Sequence, residues 1–229
     1  MAGQLLKYDE PYYIAMDKKL EDELISIAKQ YYDNGDIAHD FSHVMRVLNI
    51  AKKLSMEYGA DMPVVVPAVL FHDAVVYNKN SPKNANSAKE SAEVAEKVLL
   101  SIPSYPKDKI ERVKDAILCH SYGHGNEPES LEAKILYDAD KLEATGAIAI
   151  MRTFSYAQLV KKKFYDVEDP FAENREADNS KYALDYLTTL TRINERLHTP
   201  LAKHIAERRR AFLLSFLEEL REELGEAEN

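Results

Sequence analysis

Cysteine is almost absent from the 229 residues: Cys119 stands alone, so neither a disulfide within the chain nor a thiolate metal cluster is available. That scarcity fits a reducing, cytoplasmic setting. No apolar run reaches the roughly 18 residues of a membrane-spanning helix. The opening stretch, MAGQLLKYDEPYY, lacks the basic lead and long apolar core of a secretory signal, so no membrane span is expected. There are 7 glycines and no GxxxxGK[ST] motif, which excludes a glycine cradle as the means of holding phosphate. Positive charge is also in deficit. The formal net charge of -9 disfavours general attraction to nucleic acid, while leaving room for a local basic pocket that takes a small anion. Neither an internal repeat nor a low-complexity tract is present.

What remains is a helix-rich composition, 45% hydrophobic and 30% charged, of a length that suits one large or two small domains. Apolar residues at three- and four-residue spacings predict helices over Met16 to Tyr32, stopped by Asn34-Gly35, and from Asp40 to Gly59. Further helices are predicted from Asp61 and Pro63 up to His72, over Ala85 to Leu100, and over Lys107 to Ser121. Ser130 to Tyr156 reads as one long helical region, and two more helices run from Lys181 and from Leu201. Between them Lys161 to Ser180 is charged and aperiodic, which predicts a surface loop or a lid.

The chain is organised around Val64 to Asn78, VVVPAVLFHDAVVYN. A buried imidazole beside a carboxylate among so many aliphatic side chains is costly unless both are paired or bound to a metal. His72 and Asp73 supply the nitrogen and oxygen donors that suit a first-row divalent cation, although a core histidine bonded to its neighbour has the same sequence. A second pair, His39-Asp40, precedes a helix, where Asp40 or Ser42 suits an N-cap and His39 a pocket mouth. His43 follows in the first turn beside the apolar stripe. Asp138 and Asp140 lie close together on a mainly apolar element, where a cation or Lys141 would offset their repulsion. His120 and His124 are candidate metal or phosphate contacts, and a histidine such as His120 also suits a helix C-terminus for electrostatic reasons. Lys79 and Lys83 follow the His72-Asp73 pair as candidate ligand contacts.

Taken in order, His43, His72-Asp73 and Asp140 resemble the H…HD…D signature of the HD-domain metal-dependent phosphohydrolase superfamily. The flanks HDFSHVMRV, AVLFHDAVVY and ILYDADKLEATGAIAIMRTFSYA are similar to small single-domain bacterial and archaeal members, some of which cleave nucleoside triphosphates. RINERLHTPLAKHIAERRRAFLLSFLEEL is similar to the C-terminal helices of that subgroup. The resemblance implies an all-α HD-domain helical bundle with additional C-terminal helices, forming one domain with its core at about residues 20–160, a loop or lid at 161–180 and packed helices at 181–224. It implies that His43, His72, Asp73 and Asp140 bind a divalent metal ion (Mn, Fe, Co, Ni, Zn or Mg), with Asp73 also the catalytic residue. After His72-Asp73 come Ala74-Val75-Val76, where some members carry an acidic pair, so the resemblance assigns no separate general acid.

A cation held by two imidazoles and two carboxylates keeps positions open for water and a substrate oxygen. Such an ion lowers the pKa of water and polarises a phosphoryl oxygen, which suits hydrolysis of phosphoesters or phosphoanhydrides. Arg46, Lys141, Arg152 and His120 are the candidate substrate-binding residues, and each of the two arginines could instead pair with a nearby carboxylate. Tyr156 suits either stacking on a base or the core. The expected partner is a phosphorylated small molecule, most simply a nucleotide. Nucleoside triphosphate pyrophosphohydrolase activity comes first, phosphodiesterase or 5'-nucleotidase activity next, and a catalytically weak nucleotide-binding regulator is the reading from another class. Aromatic surface left over on the C-terminal helices would suit a homodimer.

Overall fold

The computed structural model describes residues 15–32, 40–77, 81–120 and 127–226. Asn34-Gly35, His39, Lys79 and His124 lie outside those residues. Among the described residues the architecture is all-α, as the sequence predicts. The helices are α1 (Lys18–Ala28), α2 (Phe41–Tyr58), α3 (Met62–Phe71), α4 (Ser87–Ser101), α5 (Ile110–Cys119), α6 (Leu131–Glu143), α7 (Gly146–Leu159), α8 (Ala183–Leu190) and α9 (Pro200–Glu226). None is long and apolar enough to cross a membrane. The chain divides into two compact units, Met1–Ala28 with Ala51–Leu136 and Lys29–Ile50 with Tyr137–Asn229.

In the first unit α3 is the central element. Each of its residues from Met62 to Phe71 is buried, and α1, α4 and α5 pack on it. A helix that is apolar all round belongs inside, which explains why its sequence has no polar stripe. Pro63 falls in its first turn, where the missing amide costs little. Asp61 precedes α3 but does not cap it with its side chain. Its carboxylate instead accepts from Lys109 and from Arg112 at 2.7 Å, its own amide donates to Glu132 at 3.1 Å, and Tyr105 donates to the Pro63 carbonyl at 2.8 Å. These bonds fix the start of α3 and hence the level at which its far end emerges.

In the second unit Asp40 caps α2, its carboxylate accepting from the His43 amide at 2.8 Å. Ala149 of α7, Leu184, Leu187 and Leu190 of α8, and Leu213 and Leu217 of α9 form one apolar cluster. The region Ser130 to Tyr156 is not continuous, contrary to the reading of its periodicity: α6 stops at Glu143 and α7 begins at Gly146. Gly146 adopts φ +69°, a conformation that L side chains resist, so the chain turns there. The hydroxyl of Thr145 donates back to the Leu142 carbonyl.

Residues 161–182 contain no helix, yet they are held by a dense set of bonds. Asp169 accepts from the amides of Glu173 and Asn174 at 2.9 and 2.8 Å, and Tyr182 donates to Asp166 at 2.5 Å. Arg175 forms a bidentate pair with the buried Asp185 of α8 at 2.6 and 2.9 Å. Lys162 donates to the Asn179 carbonyl at 2.7 Å and lies over the Tyr156 ring.

Candidate metal centre

The first unit contributes His72, Asp73 and His120. His72 is the C-cap of α3 and His120 the C-cap of α5, so both imidazoles stand at ends of packed helices. In each ring Nδ1 meets a main-chain carbonyl three residues earlier: that of Val69 for His72, at 2.8 Å, and that of Ile117 for His120. A carbonyl can only accept, so Nδ1 carries the hydrogen, and in the neutral ring each Nε2 presents its lone pair. Both Nε2 atoms face the same carboxylate, His72 at 3.4 Å from one Asp73 oxygen and His120 at 3.5 Å from the other. The two rings meet edge to face at 5.1 Å between centroids.

Lone pairs turned towards a carboxylate repel it unless a proton or a metal cation joins them. Nitrogen and oxygen donors of the kind that His72 and Asp73 supply suit a divalent ion. Burial pushes the Asp73 carboxyl up; when the His72 and His120 imidazoles are protonated, their charge and hydrogen bonds outweigh that and hold it well below the usual carboxylate range. Behind the pair, the Val75 amide donates to Ser91 of α4 at 3.0 Å and Tyr77 to Glu90 at 2.7 Å, so the segment after Asp73 is tied to a second helix.

The second unit contributes His43, Asp140 and Glu143. His43 is fully buried on α2, with Nδ1 at 3.0 Å from Glu143 and Nε2 at 3.7 Å from Asp140. Nδ1 also lies 3.4 Å from Arg152, but the carboxylate is nearer and can only accept, so Nδ1 carries the hydrogen here too. A histidine whose other nitrogen donates to a carboxylate is the usual supporting arrangement of a metal-binding imidazole. Glu143 is 1% exposed and is held by two cations: Arg46 donates to it at 2.7 Å and Arg152 through Nη1. Burial raises its carboxyl, and His43, Arg152 and Arg46 together pull it below its ordinary value. Lys141 pairs with Asp140 at 2.8 Å and lies over the Tyr137 ring.

Glu143 is the residue that reading the sequence missed. It stands three positions after Asp140, on the same helix face, and that spacing was the available signal. Arg46 and Arg152, the expected phosphate contacts, meet each other on this one carboxylate. Asp138 has a different role from Asp140: its carboxylate accepts from the His198 amide at 2.8 Å, the Thr199 amide at 2.7 Å and the Thr199 hydroxyl at 2.6 Å.

Residues 40–145 match the HD domain family. The uncharacterized protein YpgQ of Bacillus subtilis (strain 168) is 29% identical over 191 residues, spanning 81% of this chain and 84% of that protein. The crystal structure of B. subtilis YpgQ in complex with ADP matches with a TM-score of 0.67 at 25% identity, over 90% of this chain and 95% of that one. A predicted HD superfamily hydrolase from an uncultured Thermotogales bacterium matches with a TM-score of 0.59 at 25% identity, over 88% of this chain and 91% of that one. An all-helical fold bearing histidine and aspartate clusters within the matched segment supports the class, a metal-dependent hydrolase. Residues 40–145 are similar to the HD domain, and the helical fold is similar over most of its length to that of a predicted HD superfamily hydrolase.

Proposed function

We propose that this protein hydrolyses a nucleotide, with nucleoside triphosphates the first class of substrate, and that His43, His72, Asp73 and Asp140 hold one divalent cation with both units acting as a single HD domain. The observation that carries this reading is the placement of the imidazole nitrogens. Nδ1 of His72, His120 and His43 is committed to an oxygen acceptor in every case, so each Nε2 is turned towards a carboxylate as a donor atom. The structure of YpgQ with ADP supports a nucleotide as the phosphorylated partner.

A bound divalent ion supplies Lewis acidity, lowering the pKa of a water molecule and polarising a phosphoryl oxygen. The protein's own groups supply the rest. Asp73 accepts a hydrogen bond from the attacking water and orients it. His120 stands on the opposite oxygen of Asp73, placed to hold a proton of the water or to contact the phosphate. Lys141 brings positive charge beside Asp140, and Arg46 and Arg152 set a cationic rim around Glu143 that stabilises phosphate charge. Lys161 to Lys163 add charge from the segment that we assign as a lid.

The test is to strip the purified protein of metal and assay it with Mn, Mg, Ni or Co against nucleoside triphosphates, cyclic dinucleotides and nucleoside monophosphates. Metal-dependent release of pyrophosphate or phosphate from a triphosphate, lost in Asp73→Ala with the helical circular dichroism intact, is the expected result. Turnover only of a diester or a monophosphate would shift the reading to a phosphodiesterase or a 5'-nucleotidase. Nucleotide binding without turnover under any ion would overturn it in favour of a regulator.

A further inference from the structure

Asp140 lies between two contacts that α9 makes with α6. Two residues before it, Asp138 is fully buried and accepts three hydrogen bonds from His198 and Thr199, immediately ahead of Pro200 at the start of α9. Two residues after it, the Leu142 carbonyl accepts from Arg209, whose Nη1 also lies 3.3 Å from the Thr145 hydroxyl. Gly146 leaves space for that arginine: a Cβ there would come within 3.2 Å of Arg209 Cγ. The last carbonyls of a helix have no partner within it; that of Leu142 accepts from the Thr145 amide at 3.1 Å and the Thr145 hydroxyl, and Arg209 adds a charged donor from α9. The guanidinium also sits at the negative end of the α6 dipole.

His198 to Arg209 lie beyond the residues matched to the HD domain, 40–145. We infer that Asp138 and Arg209 are positioning residues, and that α9 completes the site by gripping the last turn of α6 on both sides of Asp140. A terminal turn is the part of a helix most prone to fraying, and this one carries both Asp140 and Glu143. A ligand constellation tolerates displacements of only about 0.5 Å. Fixing the backbone at Asp138 and at Leu142 therefore fixes the directions of both carboxylates between and beside them. The inference rests on the metal-site reading proposed above.

The experiment measures Mn2+ binding by electron paramagnetic resonance on the metal-stripped full chain, with melting followed by circular dichroism. Asp138→Asn and Arg209→Met are expected to weaken Mn2+ binding about 10- to 100-fold, the range seen for outer-shell partners of metal sites. Arg209→Lys keeps a donor for the Leu142 carbonyl and recovers most of the affinity. Thr199→Val removes one of the three bonds to Asp138, and serves in place of Asp138→Asn if that variant fails to fold. Arg175→Met breaks the buried pair with Asp185 in the same unit, and should lower the melting temperature while leaving Mn2+ affinity as it was. If Asp138→Asn and Arg209→Met melt earlier but bind Mn2+ like the wild type, both residues are merely structural and the inference is overturned. A wild type that binds no Mn2+, or a His43→Ala variant that binds it fully, overturns the metal-site reading itself.

Discussion

The two clusters of site residues are oriented by different means. In the first unit the imidazoles of His72 and His120 are set by main-chain carbonyls of their own helices. In the second, His43 is set by a side chain, Glu143, which is in turn held by Arg46 and Arg152. A carbonyl survives any side-chain substitution at its residue, whereas a carboxylate and two guanidiniums do not. The first cluster is therefore fixed by the fold, and the second by a chain of replaceable charges open to protonation.

The sharpest way to break this contrast is to remove an imidazole from each side. His72→Ala and His43→Ala should both take hydrolysis to background with the helical spectrum retained; if one alone did so, the two clusters would not serve one reaction. The supports should differ next. Glu143→Ala strands Arg46 and Arg152 beside a buried histidine, and is expected to cost about 3–5 kcal/mol in urea unfolding, as when one partner of a buried pair is lost. Glu143→Gln should weaken metal binding about 10- to 100-fold. Val69→Ala, which leaves the carbonyl under His72 in place, should cost about 1–3 kcal/mol of packing and leave metal affinity unchanged.

Acid sharpens the same comparison. Glu143 has a lowered pKa in the folded protein, so its contribution to stability is fully present above the unfolded value near 4.5 and is lost as pH falls through the lower folded value. Unfolding free energy of the metal-free protein measured from pH 6 down to pH 3 should fall less steeply in Glu143→Gln than in the wild type, about neutrality being the reference. The smallest effect is expected at Arg46, whose side chain is 34% exposed. Arg46→Lys should change stability by about 1 kcal/mol or less, as for partly solvated ion pairs.

Most of the helices were legible because each shows one buried stripe. The residues of α3, all apolar, announced a buried helix, and the His72-Asp73 pair at its end marked the candidate site. The break at Thr145–Gly146 was hidden, because apolar spacing continues across it and only the left-handed conformation of Gly146 interrupts the helix. Glu143 was hidden for another reason: a glutamate two residues after a lysine on a helix reads as solvated surface, and Arg46 lies 97 residues away in sequence while Arg152 lies on the next helix. The stretch around Asp169 has no periodicity since its carboxylates bind local amides in place of a helix or sheet ladder.

The three bonds that Asp138 accepts carry a lesson for anyone wishing to transplant this domain. A graft cut at residue 145, where the family match ends, would take that carboxylate without the three donors of His198 and Thr199. Hydrogen bonds to a charged group contribute about 1.5–3 kcal/mol each, a deficit few recipient scaffolds would absorb. The unit of exchange is the longer cassette that runs through Arg209.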